Sequence, residues 1–191
     1  MISWFTRRTD NIASGATRQF MVANRGPRSC GWLVIAALAL CCIGRPAPAN
    51  ADAIAQANAA YARGDYIRAV RLLTPAALHG DARAQAFLGF LYENGYGAPQ
   101  AYGAAADLYT SAAISGNPFG QYMLGLMYDK GHGVPQDFVL AYKWLNLAAA
   151  RASRGERDYF LRLRNAVASK MSPAQIAEGQ RLALGWAPGR F

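Results

Sequence analysis

The chain has 191 residues and a formal net charge of +9, with alanine abundant and β-branched residues few. That is length enough for one domain with its own core, and a composition that favours helix. The charge is uneven: residues 1–51 carry six basic side chains and one acid, residues 52–150 six and seven, residues 151–191 eight and three. The central stretch is close to neutral. Without clustered positive charge on a folded face, a nucleic acid is not the expected partner.

Taken in order, the chain begins with a segment built for export. Gly31–Ile43 is an apolar run, preceded by Arg25 and Arg28 and followed by small residues from Pro46 to Ala51. A basic start, a short apolar centre and an A-x-A end make a secretory signal peptide, and this run is short for a spanning helix. Cleavage is expected after Ala51, with Ala49 as second choice, so the mature protein is expected in the periplasm. Met21 offers an alternative start that gives the segment ordinary length. Competing readings are a twin-arginine signal at Arg7-Arg8, a lipidated Cys41, and an uncleaved segment that anchors the chain. Otherwise no membrane contact is expected. All three cysteines (Cys30, Cys41, Cys42) lie here, so the mature chain has no disulfide and no thiol nucleophile.

Residues 53–62 make an alanine-rich helix, ended by Arg63-Gly64. Asp65 caps a second helix over 66–78, with Ala69, Leu72, Leu73 and Ala76 in one apolar stripe. Pro75 is expected to interrupt and kink it. Asp81 caps a helix over 82–94, and Gly95-Tyr96-Gly97-Ala98-Pro99 turns the chain. A return helix over 101–115 is stopped by Gly116-Asn117-Pro118. Asn117 caps the next helix, over 118–130, with Pro118 at its first position. Gly131 to Gln136 repeats the turn, and Asp137 caps a helix over 138–150. A basic linker over 151–155 and a helix over 156–169 follow. Ser172-Pro173-Ala174-Gln175 is a capping box that opens a last helix over 173–184. Its Ile176, Leu182 and Leu184 are expected to cover the open end of the array.

Two of these helix pairs are copies. At an offset of 36 residues, Gln85, Leu88, Gly89, Tyr92, Gly95, Gly97 and Pro99 fall on Gln121, Leu124, Gly125, Tyr128, Gly131, Gly133 and Pro135. The match runs on through Gln100 on Gln136, Ala105 on Ala141, and Ala112-Ala113 on Ala148-Ala149. The earlier pair at 52–80 keeps the second half of the repeat and has lost its loop. A fixed period with glycine and proline in phase marks a repeat array, here divided as 52–80, 81–116 and 117–155, with capping helices over 156–191. Gly89 and Gly125 lie inside helices at a cost of about 1 kcal/mol each relative to alanine. They are therefore expected where a partner helix comes close, with the alanine pairs allowing the same approach from the return helix. Ala101 stands where the second copy has the capping Asp137.

The segment Ala84–Gln100, A-x-A-x-L-G-x-x-Y-x-x-G-x-G-x-P-Q, resembles the Sel1-like repeat, a variant of the tetratricopeptide helix pair. Leu124–Ala149, with Asp137, Ala141 and Trp144 in place, is closer still, and Met171–Glu178 is similar to the tail of many bacterial proteins of this kind. The resemblance implies an all-α superhelical solenoid whose concave face binds an unidentified protein or peptide; a monomer is expected, and no cofactor. Exported members are similar to adaptors in envelope regulation, exopolysaccharide control or host contact. Some disulfide-rich members are linked to β-lactam chemistry, a pattern this cysteine-free mature chain departs from.

No catalytic constellation stands out. His79 and His132 lack metal-ligand spacing, Asp107, Glu93 and Asp129 are isolated carboxylates, and the paired glycines follow helices rather than strands. The chain is thus expected not to be an enzyme. The recurring aromatics Tyr92, Tyr128, Tyr102, Phe138 and Trp144 are expected in the core. The candidate binding residues are the remaining positions of the first helices: Gln85, Phe90, Glu93, Gln121, Leu126 and Lys130. Contact through the basic C-terminal region with an anionic surface or polysaccharide, and less so a cell-wall hydrolase, are the alternatives.

Overall fold

A computed structural model describes residues 49–189, with side chains from Asp52 onward. The apolar run and the cysteines lie outside the described residues. The described residues form eight α-helices and no strand: α1 Ala49–Ala62, α2 Tyr66–Leu78, α3 Ala82–Asn94, α4 Tyr102–Ile114, α5 Pro118–Lys130, α6 Phe138–Arg151, α7 Arg154–Ala168 and α8 Pro173–Leu184. Among the described residues no helix is long and apolar enough to cross a membrane.

The starts follow local chemistry. Asp81 accepts hydrogen bonds from the N–H groups of Arg83 (2.9 Å) and Ala84 (3.2 Å). Asn117 accepts from Gly120 (2.9 Å), and Asp137 from Val139 (2.8 Å) and Leu140 (2.9 Å). Each satisfies donors that the first helical turn cannot pair internally. Ala101, with no such side chain, leaves the start of α4 uncapped.

Two expected breaks are absent. α2 continues through Pro75 to Leu78, where His79 N–H donates to the Pro75 carbonyl (3.1 Å). The five-residue basic linker shrinks to Ala152 and Ser153, because Ser153 serves as N-cap and α7 starts at Arg154, two residues earlier than expected. The Ser153 N–H donates to the Glu156 carboxylate (3.1 Å), as does its hydroxyl.

Consecutive helices pack as hairpins, and each hairpin packs on the next; α7 and α8 both close over α6. First helices α3 and α5 also touch directly, so the two share the inner side of the stack. The buried side chains form two clusters, one across α1–α3 centred on Leu73, Phe87 and Leu91, the other across α4–α8 centred on Tyr109, Leu124, Met127 and Leu145. Phe90 and Tyr92 pack against both and join them.

Glycine sets the spacing at two places in each repeat. A Cβ on Gly89 would sit 3.0 Å from the Tyr109 ring, and one on Gly125 2.8 Å from Leu145 Cγ. The close partners are thus Ala105 with Tyr109, and Ala141 with Leu145. The alanine pairs do a different job, since Ala112 faces Gly120 of the next repeat, where an added Cβ would be 2.7 Å from the Ala112 Cβ. Gly97 and Gly133, with φ of +75° and +72°, lie directly on the backbone at the start of the second helix of the preceding pair. A Cβ there would overlap the carbonyl of Tyr66 or of Tyr102 respectively. This second loop glycine locks each hairpin to the one before it.

At the far end, Leu184 is 87% exposed and covers nothing. α8 seats instead through small residues: Gly179 lies against Tyr142 and the Val139 carbonyl, Ala183 is buried beside it, and Ile176 packs on the second cluster.

Candidate functional site

The inner face carries a row of aromatic rings that crosses all four first helices. It starts with Tyr66 stacked on the loop residue Tyr96, ring centroids 4.7 Å apart. Tyr61 of α1 meets both, and also Phe90 of α3 at 6.0 Å. Phe90 meets Phe119 of α5 (6.5 Å), and Phe119 meets Tyr122 (6.0 Å). Tyr122 meets Tyr159 (5.9 Å) and stacks on Phe160 (4.7 Å), both on α7. Most of these rings are half-buried, with one flank in the core and the other at the surface. Rigid amphipathic rings so placed give contact area at low cost in side-chain entropy.

Polar groups are set into the row. The Tyr109 hydroxyl, fully buried on α4, donates to Glu93 Oε2 (2.8 Å). The hydroxyls of Tyr122 and Tyr159 are 3.4 Å apart. Burial, and then the Glu93 charge, hold the Tyr109 phenol well above the ordinary tyrosine value. Burial, then the hydrogen bond with Tyr159, raises Tyr122, and burial together with Tyr96 and Tyr66 raises Tyr61. These phenols remain neutral at physiological pH and keep their protons as donors.

The six candidate binding residues divide. Phe90 and Leu126 are half-buried and packed against the core by one flank. Glu93 is half-buried in the row, and Lys130 is exposed in the last turn of α5. Gln121 has no exposed surface, so it has none to offer a partner. Its amide nitrogen donates to the Ala113 carbonyl (3.1 Å), as that of Gln85 does to Ala77 (3.1 Å). Both carbonyls lie near the end of the preceding helix, so these glutamines tie one hairpin to the next. The repeat-defining residues Leu88, Leu124, Ala141, Ala148 and Ala149 are buried, as is Trp144, in line with the core position expected of it. Of the other aromatics expected in the core, Tyr92, Tyr128 and Phe138 are half-buried against it, whereas Tyr102 is instead exposed, because its ring lies at the surface 4.8 Å from that of His132.

The residues that sequence reasoning missed are Tyr61, Tyr66, Tyr96, Phe119, Tyr122 and Tyr159. Two of them show as departures from the repeat: Phe119 stands where the first copy has Arg83, and Tyr122 where it has Ala86.

A family model described as Sel1 repeat matches residues 53–81, 82–117 and 118–153. No curated protein matches the chain. Among solved structures, the chain is similar to c5321, a protective antigen present in uropathogenic Escherichia coli strains that displays an SLR fold. Identity is 30% with a TM-score of 0.62, over 69% of this chain and 29% of that one. A Sel1 repeat protein from Oxalobacter formigenes is 40% identical over 49% of this chain and 71% of that one, with a TM-score of 0.45. This chain thus spans under a third of the length of the Escherichia coli antigen. With three matched segments over more than half of its residues, the chain belongs to the Sel1 repeat family, whose repeats generally serve as protein–protein interaction modules.

Proposed function

We propose that this protein is a non-enzymatic adaptor of the bacterial periplasm or cell envelope that holds a partner protein or peptide against its inner helical face. The observation that carries the reading is the continuous row of ring contacts from Tyr66 to Tyr159, in which every ring but the buried Tyr122 is half-exposed. A fold that needed these rings only for its core would bury both flanks; here one flank of most of them stays at the surface. The N-terminal segment supports export, and fractionation with N-terminal sequencing of the mature chain tests that part. A cytoplasmic chain that begins at Met1 overturns it.

The binding test is affinity capture from intact envelopes with the tagged chain and with the double variant Phe90→Ser, Leu126→Ser. Loss of the captured partner by a variant that still folds at the temperature of capture, with a thermal midpoint only moderately lowered, is the expected result. A variant that unfolds returns both residues to the core, and capture that is indifferent to the change rules out the inner face.

A second reading has one observation of its own. Arg151, Arg154, Arg157 and Arg162 are exposed around the α6–α7 junction and form no ion pair among the described residues. Contact of this end with an anionic polysaccharide or lipid surface is the corresponding proposal. Such binding should collapse between low and high salt.

A further inference from the structure

The two complete repeats carry an acid at the same place, and one of them has its cation. Asp129 stands 36 residues after Glu93. Lys170, from the turn after α7, sets its Nζ 2.8 Å from Asp129 Oδ1 and 5.4 Å from the centroid of the Phe138 ring. The molecule therefore contains one worked instance of a basic side chain seated between this carboxylate position and an aromatic ring, a pairing that ion attraction and the ring quadrupole both favour.

At Glu93 the carboxylate stands at the same place in the repeat, and no side chain among the described residues brings it a cation. Oε2 accepts from Tyr109, which leaves most of the acceptor capacity of a carboxylate open. Glu93 forms no ion pair among the described residues: Arg83 turns to Asp81 (3.7 Å), and the only other ion pairs are Lys170–Asp129 and Arg181–Glu178. The turn after α5, which corresponds to the one that carries Lys170, offers His132, and that ring lies against Tyr102. Phe90 lies one turn before Glu93 on α3. Phe90 meets Phe119 of α5, which in turn meets Tyr122, so Glu93 stands beside the aromatic row. The position thus has a half-buried carboxylate, one turn after Phe90 of the aromatic row, and a buried hydroxyl that fixes that carboxylate in place.

We infer that Glu93 receives a lysine or arginine side chain of a partner that lies along the aromatic row, as Lys170 is laid onto Asp129. The inference rests on the inner face being the docking surface, and it adds the chemistry of the occupant: an extended peptide with one basic residue beside apolar ones.

The test is selection of a random dodecapeptide phage library on the full chain, on Glu93→Gln and on Phe90→Ser. Affinities are then measured for the commonest selected peptide and for the same peptide with its basic residue neutralised, as acetyl-lysine or citrulline. The full chain should select peptides with lysine or arginine at one fixed position, and Glu93→Gln should lose that preference while it keeps the apolar ones. Neutralisation should weaken binding to the full chain by about tenfold, the worth of one charge-assisted contact, and leave binding to Glu93→Gln almost unchanged. Because this arm alters the peptide, it reads the contact even if the protein variant is less stable. Peptides that need Phe90 but carry no fixed basic residue, or that lose equally on both chains when neutralised, overturn the Glu93 assignment and leave the inner face standing. Failure to select any peptide, or selection indifferent to Phe90→Ser, overturns the inner face and this inference with it.

Discussion

Residues 82–117 and 118–153 build the same hairpin with different fastenings. Both end the first helix on a left-handed glycine, Gly95 or Gly131, and both close the loop with a glutamine. Gln100 donates to the Glu93 carbonyl (2.8 Å) and Gln136 to that of Asp129 (2.7 Å). Both press a second glycine onto the preceding pair, and both tie a glutamine amide back to it. They differ above this frame. The first repeat uses Tyr109 to hold Glu93, whereas the second has Leu145 in place of the tyrosine and holds Asp129 with Lys170 from the cap. The residues that recur set the array, and the residues that do not recur decide what each groove is for.

The frame should be the most fragile part. Gly97→Ala and Gly133→Ala each force a side chain into a left-handed backbone and into the carbonyl of Tyr66 or Tyr102. Each is expected to cost about 3 kcal/mol or more, read as a lower urea midpoint. Equal losses at the two positions would show that both loops bear on their neighbours alike. A small loss at Gly97 alone would mean that the shortened first pair is held loosely. Neither loss is expected for Gly103→Ala, whose added Cβ meets nothing within 4 Å.

The next effect separates the repeats. Tyr109→Phe removes the donor to Glu93 and leaves a half-buried carboxylate without it, at a cost of about 1–2 kcal/mol. It should also change the alkaline limb. In the unfolded chain a tyrosine ionises near pH 10, while burial and Glu93 raise Tyr109 well above that in the fold. The contribution of this phenol is thus fully present below about pH 10 and falls as pH rises beyond it, because the unfolded state loses the proton first. The loss of stability between about pH 10 and 12, followed by thermal melts, should therefore be shallower in Tyr109→Phe. Leu145 has no phenol, and Leu145→Met should leave the slope as it is.

Much of the fold was legible because its signals are local. Asp81, Asn117, Asp137 and Ser172 start helices where short polar side chains can reach backbone donors, and the glycines mark turns whatever lies around them. What escaped depends on packing across elements. Pro75 passes inside α2 because an exposed position on the outer helix tolerates a missing N–H. The Ser153–Glu156 box was readable at its spacing, but the surrounding arginines gave it the look of a linker. Gln121 has the composition of a surface residue and lies buried because its amide can satisfy a carbonyl near the end of the previous helix. Leu184 misled because α8 docks through Gly179 and Ala183, where small size rather than hydrophobicity allows the approach. The aromatic row was not legible as a row, since neighbours such as Phe90 and Phe119 lie 29 residues apart and follow no single period.

A smaller difference can be exchanged between the repeats. Ala101 and Asp137 share a backbone conformation, with φ and ψ of −146° and 89° against −149° and 106°. The second receives two N–H donors and the first none. Ala101→Asp should therefore stabilise, and Asp137→Ala destabilise, each by about 1 kcal/mol in thermal melts. A gain well short of the loss would show that the start of α4 is already held by the Gly133 contact at Tyr102.

The Lys170–Asp129 pair should matter least to stability, although it is the closest guide to the ligand of Glu93. Lys170 stands half in solvent, and an exposed pair of this kind contributes roughly 0.5–1 kcal/mol at low salt and less as salt rises. Lys170→Ala and Asp129→Asn should each lose that amount in 50 mM salt, the double variant should lose no more than either, and the difference should fade near 1 M. If Lys170→Ala keeps its full cost at high salt while Asp129→Asn does not, the lysine acts through its stem on Phe138 rather than through its charge. The seat at Asp129 would then be an apolar one that merely tolerates a cation, and Glu93 would lose its nearest precedent.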